Sequence, residues 1–347
     1  MQYVRLGNSG LKVSKVILGC MTYGTPEWLP WVLDYDSALP ILKAAYDAGI
    51  TTWDTADMYS NGGSERVVGR AMKELRIPRS EIVIMTKAFF PTMDGVSAEQ
   101  KEIEVEKKRQ WNLNKAGLSR AALFHAVDAS LERLQTEYID VLQIHRLDDT
   151  PFVEVMKALH DIIQSGKVRY IGASSMWSHE FAQMQTIARQ NGWTQFISMQ
   201  NEHNLLYREE EREMNRYCKK IGVALIPWGP LAAGALTRPV SQIHGATARA
   251  EQIKDKMESH ANDLADIEII NRVESLAQEK KWTMAQVAFA WSASKVTAPI
   301  VGISKVERLQ EFVDAVDLRL KDEEIRYLEE PYRPKPVQGF QQDRTTS

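Results

Sequence analysis

Eight short, apolar, β-rich segments recur along this chain, with longer helix-periodic segments between them. That alternation restricts the fold more than any other feature of the sequence. The candidate strands are residues 15–19, 51–54, 82–86, 139–144, 170–172, 196–199, 223–227 and 299–301. Between them, segments such as "SALPILKAAYDAG", "SERVVGRAMKEL", "FVEVMKALHDIIQSG" and "EREMNRYCKKIG" place apolar residues at i, i+3 and i+4, and several stop at glycine. Strands that are apolar throughout belong to a parallel sheet covered on both faces. A doubly wound sheet would want G-x-G-x-x-G after its first strand, and "LGCMTYG" does not supply it. The strand count and the length of 347 residues instead fit an α/β chain folded as a (β/α)8 TIM barrel. No linker divides the chain, so residues 1–347 are expected to form one domain.

Smaller features decorate this plan. "YVRL" and "LKVS" flank "GNSG", which predicts a short β-hairpin over residues 1–14. Two connections are long, residues 88–119 after the third strand and 236–263 after the seventh. Each can be a functional lid or a solvated helix held by ion pairs. The proline-rich tail, residues 331–347, is either disordered or laid along the barrel.

Composition removes several function classes. The chain carries 43 basic and 46 acidic residues, a formal net charge of −3, which leaves no electrostatic footprint for nucleic acid. There is no signal-like apolar core at the start and no run of about 18 apolar residues, so a cytoplasmic protein that does not enter membranes is expected. Cys20 and Cys218 cannot build a disulfide framework or a four-cysteine zinc site, and no metal is expected.

In a barrel of this kind the chemistry sits where the strands end. Here strand 2 ends in Asp54, strand 3 runs into Lys87, and strand 4 into His145. Ser174 and Ser175 follow strand 5, Gln200 follows strand 6, and Trp228 follows strand 7. Burying Asp54 and Lys87 unpaired would be costly, whereas a pair offsets that cost. Tyr59 lies five residues beyond Asp54. A free phenol has a pKa of about 10, and a nearby ammonium is expected to lower it. Such a phenol, with His145 aiming a carbonyl oxygen at it, can protonate an oxygen on which negative charge develops. Without metal or nucleophile, that chemistry is hydride addition to a carbonyl, and the hydride must come from a cofactor.

These residues, with "WDTADMYSNGGSERVVGRAM", "MTK", "VLQIHR", "YIGASS" and "PIVGISKVERLQEF", resemble the aldo-keto reductase family over nearly the whole chain. Within it, the fungal aryl-alcohol dehydrogenase-like and versiconal hemiacetal acetate reductase-like members are most similar in character. The resemblance implies an eight-stranded barrel, NADP(H), a small-molecule carbonyl substrate and a catalytic tetrad of Asp54, Tyr59, Lys87 and His145. It further implies that Ser174, Ser175 and Gln200 hold the nicotinamide amide and that Trp228 stacks on the ring. Gly229, Pro230 and Leu231 would line the phosphates, with Gly234 letting backbone approach the pyrophosphate. Gly302, Ser304, Lys305, Arg308 and Glu311 would take the adenosine end, the two basic residues favouring a 2′-phosphate. The chain departs from the family at Ser175, at Gly229 where a serine is usual, and at Phe312 where an asparagine is common. Arg249 reads either as a pyrophosphate ligand or as a solvated arginine. Trp28, Trp31 and Trp111 either shape an aromatic substrate pocket or pack under loops. Cys20 and Met21, at the end of strand 1, either touch cofactor or substrate or, for Cys20, simply pack as a small buried hydrophobe. His125 and His160 read as structural, and His203 is given no catalytic role. A second role also stands open, an NADP(H)-sensing regulatory subunit with little turnover.

Overall fold

The computed structural model describes residues 1–93, 114–243 and 247–340. Two strands, β1 (Tyr3–Arg5) and β2 (Lys12–Ser14), form the expected antiparallel hairpin. The eight that follow are β3 (Ile17–Gly19), β4 (Thr52–Asp54), β5 (Val83–Ala88), β6 (Ile139–Ile144), β7 (Val168–Ser174), β8 (Ser198–Gln200), β9 (Ala224–Leu225) and β10 (Ile300–Gly302). All neighbours are parallel, in the order β10-β3-β4-β5-β6-β7-β8-β9. The Leu225 carbonyl accepts from Thr297 N–H at 2.9 Å and the Pro227 carbonyl from Ile300 N–H at 2.9 Å. These bonds join β9 to β10, so the sheet curls round on itself as a barrel.

The apolar side chains explain why. Inside the barrel, Ile17, Met85, Val141, Ala224, Ile226 and Ile300 form one cluster with Leu6 and Val13 of the hairpin. Most of those strand residues lie at or near strand starts, so the hairpin covers that end of the barrel. Its turn fits tightly, since a Cβ on Gly7 (φ +61°) would lie 2.6 Å from the Gly222 carbonyl oxygen. A larger cluster fills the layer between sheet and helices. It includes the inner faces of α1 (Tyr35–Asp47), α2 (Gly63–Glu74), α3 (Arg120–Leu134), α4 (Phe152–Gln164), α5 (Ser178–Gln190) and α6 (Met214–Ile221).

Most strand limits differ by one or more residues from the sequence expectation, and two of the differences have plain local reasons. Residues 196–197 are apolar, but the Gln185 side chain bonds both the N–H and the C=O of Phe196, at 2.9 and 3.0 Å, outside the sheet ladder. Pro227 has no N–H to offer a ladder, and β9 ends at Leu225. The long segment after β9 is more structured than a loop. It carries α7 (Ala248–Gln252) and α8 (Lys254–Asn262), and α9 (Leu264–Lys280) and α10 (Met284–Lys295) follow before β10. α11 (Val306–Ala315) and α12 (Asp322–Glu329) close the chain. Trp111 and the charged part of the segment after β5 lie outside the described residues. Residues 331–340 of the tail run along the barrel, with the Lys335 and Gln338 N–H groups bonded to Glu209 and the Tyr207 hydroxyl. Among the described residues no helix is long and apolar enough to cross a membrane.

α2 follows directly on the Tyr59 loop. Its Glu65, fully buried, takes Arg133 Nε of α3 at 2.6 Å and the Thr86 hydroxyl of β5 at 2.5 Å. One turn on, Gly69 lets α2 touch the end of α3, where a Cβ would lie 2.5 Å from the Leu134 carbonyl oxygen. Gly69→Ala is therefore expected to destabilise the protein by about 1–3 kcal/mol through overpacking. Helix propensity alone predicts a gain of about 1 kcal/mol, so a urea midpoint separates the two by sign.

Candidate active site

Lys87 is wholly buried near the end of β5, and its ammonium group is fully engaged. It donates to Asp54 Oδ2 at 2.6 Å, to the Thr55 carbonyl at 2.9 Å and to the Tyr59 hydroxyl oxygen at 3.2 Å. An ammonium has three protons, so these contacts use all of them. The other oxygen of Asp54 accepts from Gln143 Nε2 at 2.8 Å and from Gln200 Nε2 at 3.0 Å. Burial pushes the Lys87 pKa down, but Asp54 and Tyr59 outweigh it, and the net shift is upward. The ammonium therefore stays charged although it is out of contact with water.

Tyr59 sits in a turn whose next two residues, Ser60 (φ +51°) and Asn61 (φ +50°), are left-handed. Tyr59 itself is half-buried. Its surroundings correct the sequence expectation of a lowered pKa. Burial raises the phenol above its ordinary value, and the opposing pull of Lys87 only limits that rise. His145 presents its ring edge-on to Tyr59, with centroids 6.0 Å apart, and meets Phe90 on another side at 5.4 Å. The four residues of the expected tetrad thus converge on one end of the barrel.

The neighbouring strand ends are coupled through side chains. Ser174 Oγ donates to the Gln200 carbonyl at 2.6 Å and lies 3.1 Å from Ser175 Oγ. Ser175, left-handed at φ +51°, donates its N–H to Asn201 Oδ1 at 2.7 Å. Gln200 also donates to Gln143 Oε1 at 2.8 Å, so its amide nitrogen is committed inward and only its oxygen is left for a ligand. Trp228 and Gly229 follow at the mouth, half-buried, ahead of buried Pro230 and half-buried Leu231. Gly339 of the tail approaches Trp228, and Phe340 meets Trp177 edge-to-face at 5.0 Å.

Cations gather where the segment after β9 folds back. Arg249 is not a solvated arginine. Its guanidinium lies over the Trp31 ring at 4.7 Å, near Gly302, and burial lowers its pKa. Arg238 reaches Gly234, and its pKa is lowered by burial and by Arg308. Among the described residues, Arg238, Arg249, Lys305 and Arg308 have no carboxylate partner. Ser304, Lys305 and Arg308 are exposed, whereas the Glu311 carboxylate is bonded to the Thr283 hydroxyl. Phe312 is buried against Phe289 and belongs to the core.

The chain's similarity to known proteins agrees with this arrangement. The profile described as "Aldo/keto reductase family" matches residues 15–333. The chain belongs to the aldo/keto reductase family. It is 54% identical over 342 residues to the versiconal hemiacetal acetate reductase of Aspergillus parasiticus, covering 97% of this chain and 98% of that protein. To an aldo-keto reductase of Alternaria alternata it is 52% identical over 344 residues, covering 97% and 93%. A Schizosaccharomyces pombe protein named as an aryl-alcohol dehydrogenase is 51% identical over 350 residues, covering 97% of each. This chain is accordingly an oxidoreductase of a family that takes NAD(P)H.

Three residues outside the sequence candidates lie beside the aldo/keto reductase site. Gln143 is the one uncharged polar residue within β6, a signal visible in "IDVLQI". Asn201 directly follows Gln200, and Arg238 stands in "LTRP" beyond Gly234. The histidines away from the rim are engaged elsewhere. His203 stacks on Trp291 and meets Glu211 at 2.8 Å, His160 meets Thr194 at 3.1 Å, and His125 is exposed on α3. Cys20 is fully buried, and burial holds its thiol well above the ordinary range. Trp28 is buried and Trp31 half-buried under Arg249.

Behind the rim lies a further titrating group. Glu210 accepts from Asn201 Nδ2 at 2.7 Å. Burial pushes its carboxyl up to about 7, opposed by the Asn201 donor and assisted by Glu209 and Glu202. Between about pH 4.5 and pH 7 the folded chain keeps a proton that the unfolded chain has released, so this group's contribution to stability falls as pH rises through that window. Glu210→Gln cannot ionise. Its stability relative to the parent is expected to rise by about 1–3 kcal/mol between about pH 5 and about pH 8, read from urea midpoints.

Proposed function

We propose that this protein reduces an aromatic aldehyde or ketone to the alcohol with NADP(H), Tyr59 acting as the general acid. The observation that carries this reading is the Lys87 ammonium, fixed by Asp54 and the Thr55 carbonyl with its remaining bond on the Tyr59 oxygen. Because Tyr59 accepts that bond, its own proton is free to be directed at a bound carbonyl. A phenol raised by burial stays protonated at neutral pH, and Lys87 stabilises the phenolate left after transfer. Tyr59 gives its proton to the carbonyl oxygen as negative charge develops there, and His145 positions that oxygen. Asp54 keeps Lys87 charged and in place, itself oriented by Gln143 and Gln200.

NADP(H), when bound, supplies or accepts the hydride. The residues fit such a group, since three features ask for an anion or a flat ring. Burial and the neighbouring Arg308 lower the pKa of Arg238, Arg249 is desolvated without a carboxylate among the described residues, and Trp228 offers an aromatic face. Arg238 with Lys305 and Arg308 would hold a 2′-phosphate, and Arg249 with the backbone of Gly229, Pro230, Leu231 and Gly234 the pyrophosphate. Ser174, Ser175 and the Gln200 oxygen would hold the nicotinamide amide, with Trp228 on the ring. Gly302, Ser304 and Glu311 would border the adenosine. An aromatic substrate is supported by Phe89, Phe90, Trp177 and Phe340 around the mouth, and by the aryl-alcohol names of close relatives.

The test follows NADPH oxidation near 340 nm, roughly the reduced nicotinamide band, against aromatic and aliphatic carbonyls. Tyr59→Phe is expected to lower turnover by about 10²–10⁴-fold while NADPH still binds. Equal turnover in both proteins would remove Tyr59 from the role, and tight binding without any turnover in the parent would favour the sensor. Arg238→Ala and Arg308→Ala are each expected to raise the KM for NADPH by about 10–100-fold and leave that for NADH nearly unchanged. Equal effects on both nucleotides would move the 2′-phosphate elsewhere.

A further inference from the structure

Asn201 touches both halves of the surface proposed for the nicotinamide. Its side-chain oxygen takes the Ser175 N–H at 2.7 Å, and its main-chain carbonyl takes the Trp228 N–H at 3.1 Å. Ser175 is a left-handed serine, a conformation that persists when surrounding bonds over-determine it. It is buried, and its N–H has no other acceptor in the described structure. An asparagine amide can be turned either way round, and only one orientation serves Ser175. Glu210 selects it, because its Oε2 accepts from Asn201 Nδ2 at 2.7 Å and thereby turns the amide oxygen toward Ser175. Asn201 and Glu210 are both nearly inaccessible to solvent, so water does not substitute for either bond at low cost.

Resting on the cofactor reading above, we propose that Asn201 is a positioning residue that sets the spacing between the Ser174–Ser175 turn and Trp228, and that Glu210 fixes Asn201. Neither residue needs to touch the reacting atoms. Their effect falls on how well the amide end of the nicotinamide and its ring are held together.

That separates them from residues that merely keep the barrel folded, and a ligand that lacks the nicotinamide makes the distinction measurable. Dissociation constants for NADPH and for 2′-phospho-ADP-ribose would be taken on the full chain and on Asn201→Ala, Glu210→Ala and Glu210→Gln. The expected result is a loss of about tenfold for NADPH in the two alanine variants, with 2′-phospho-ADP-ribose unchanged. Glu210→Gln keeps an acceptor oxygen for Asn201 and is expected to retain NADPH affinity. Equal weakening of both ligands, or unchanged NADPH affinity in folded Asn201→Ala, overturns the proposal. If Asn201→Ala does not fold, Glu210→Ala against Glu210→Gln makes the same comparison. A parent protein that binds neither ligand overturns the cofactor reading and this inference with it. One that binds 2′-phospho-ADP-ribose as tightly as NADPH overturns this inference alone.

Discussion

A cation with no access to water is the constraint around which the rim is built. Lys87 carries its charge where a lone ammonium would lose several kcal/mol, and it keeps it because three oxygens surround it. Those oxygens come from β4, from the residue after it, and from the turn beyond. Parallel strands in register are what put them there, since β4 and β5 pair Asp54 with Met85 and leave Lys87 just past the end of that ladder. The two glutamines that saturate Asp54 come from β6 and β8, so four strands share one charge balance. Moving any one of them would leave a buried donor or acceptor unmatched. The rigid end of the barrel and its polar chemistry are in this sense the same feature.

Much of this is legible in the sequence because it is written in strand ends. The alternation of apolar runs with helix-periodic segments gives the barrel, and an ionisable residue following an apolar run stands out at Asp54, Lys87 and His145. What is not legible depends on contacts made far along the chain. Arg238 looks like an ordinary charged residue in a polar segment, and for Arg249 the sequence leaves the ligand and solvated readings level until the return of that segment over Trp31 and Gly302 takes water from it. Gln143 is hidden inside a strand, where a lone amide reads as packing noise. The direction of the Tyr59 shift depends on how deeply the ring is covered, which spacing does not encode. Strand limits shifted where a side chain took over the work of the ladder, as Gln185 does at Phe196.

The rim also shows an electrostatic division of labour. At Lys87–Asp54 on the rim, and at Arg133–Glu65 between α2 and α3, each buried charge has a counter-charge within bonding distance. Along the segment after β9 and at the start of α11, cations stand beside each other and beside glycines instead. Folding gains nothing from that second arrangement. It makes sense as a surface kept ready for a polyanion, consistent with the proposed cofactor, and it is the part of the fold for which salt concentration should matter most.

The N-terminal hairpin and the last described residues of the tail sit at opposite ends of this barrel. The hairpin closes the face where strands begin, whereas the tail reaches the face where they end and brings Gly339 beside Trp228. For anyone handling the protein this has a practical meaning. A purification tag before Met1 attaches on the side away from the chemistry, while a fusion to the C-terminus is added to a tail whose residues 339 and 340 lie at the entrance. Two preparations of the same sequence, differing only in which end carries the tag, need not behave as the same catalyst.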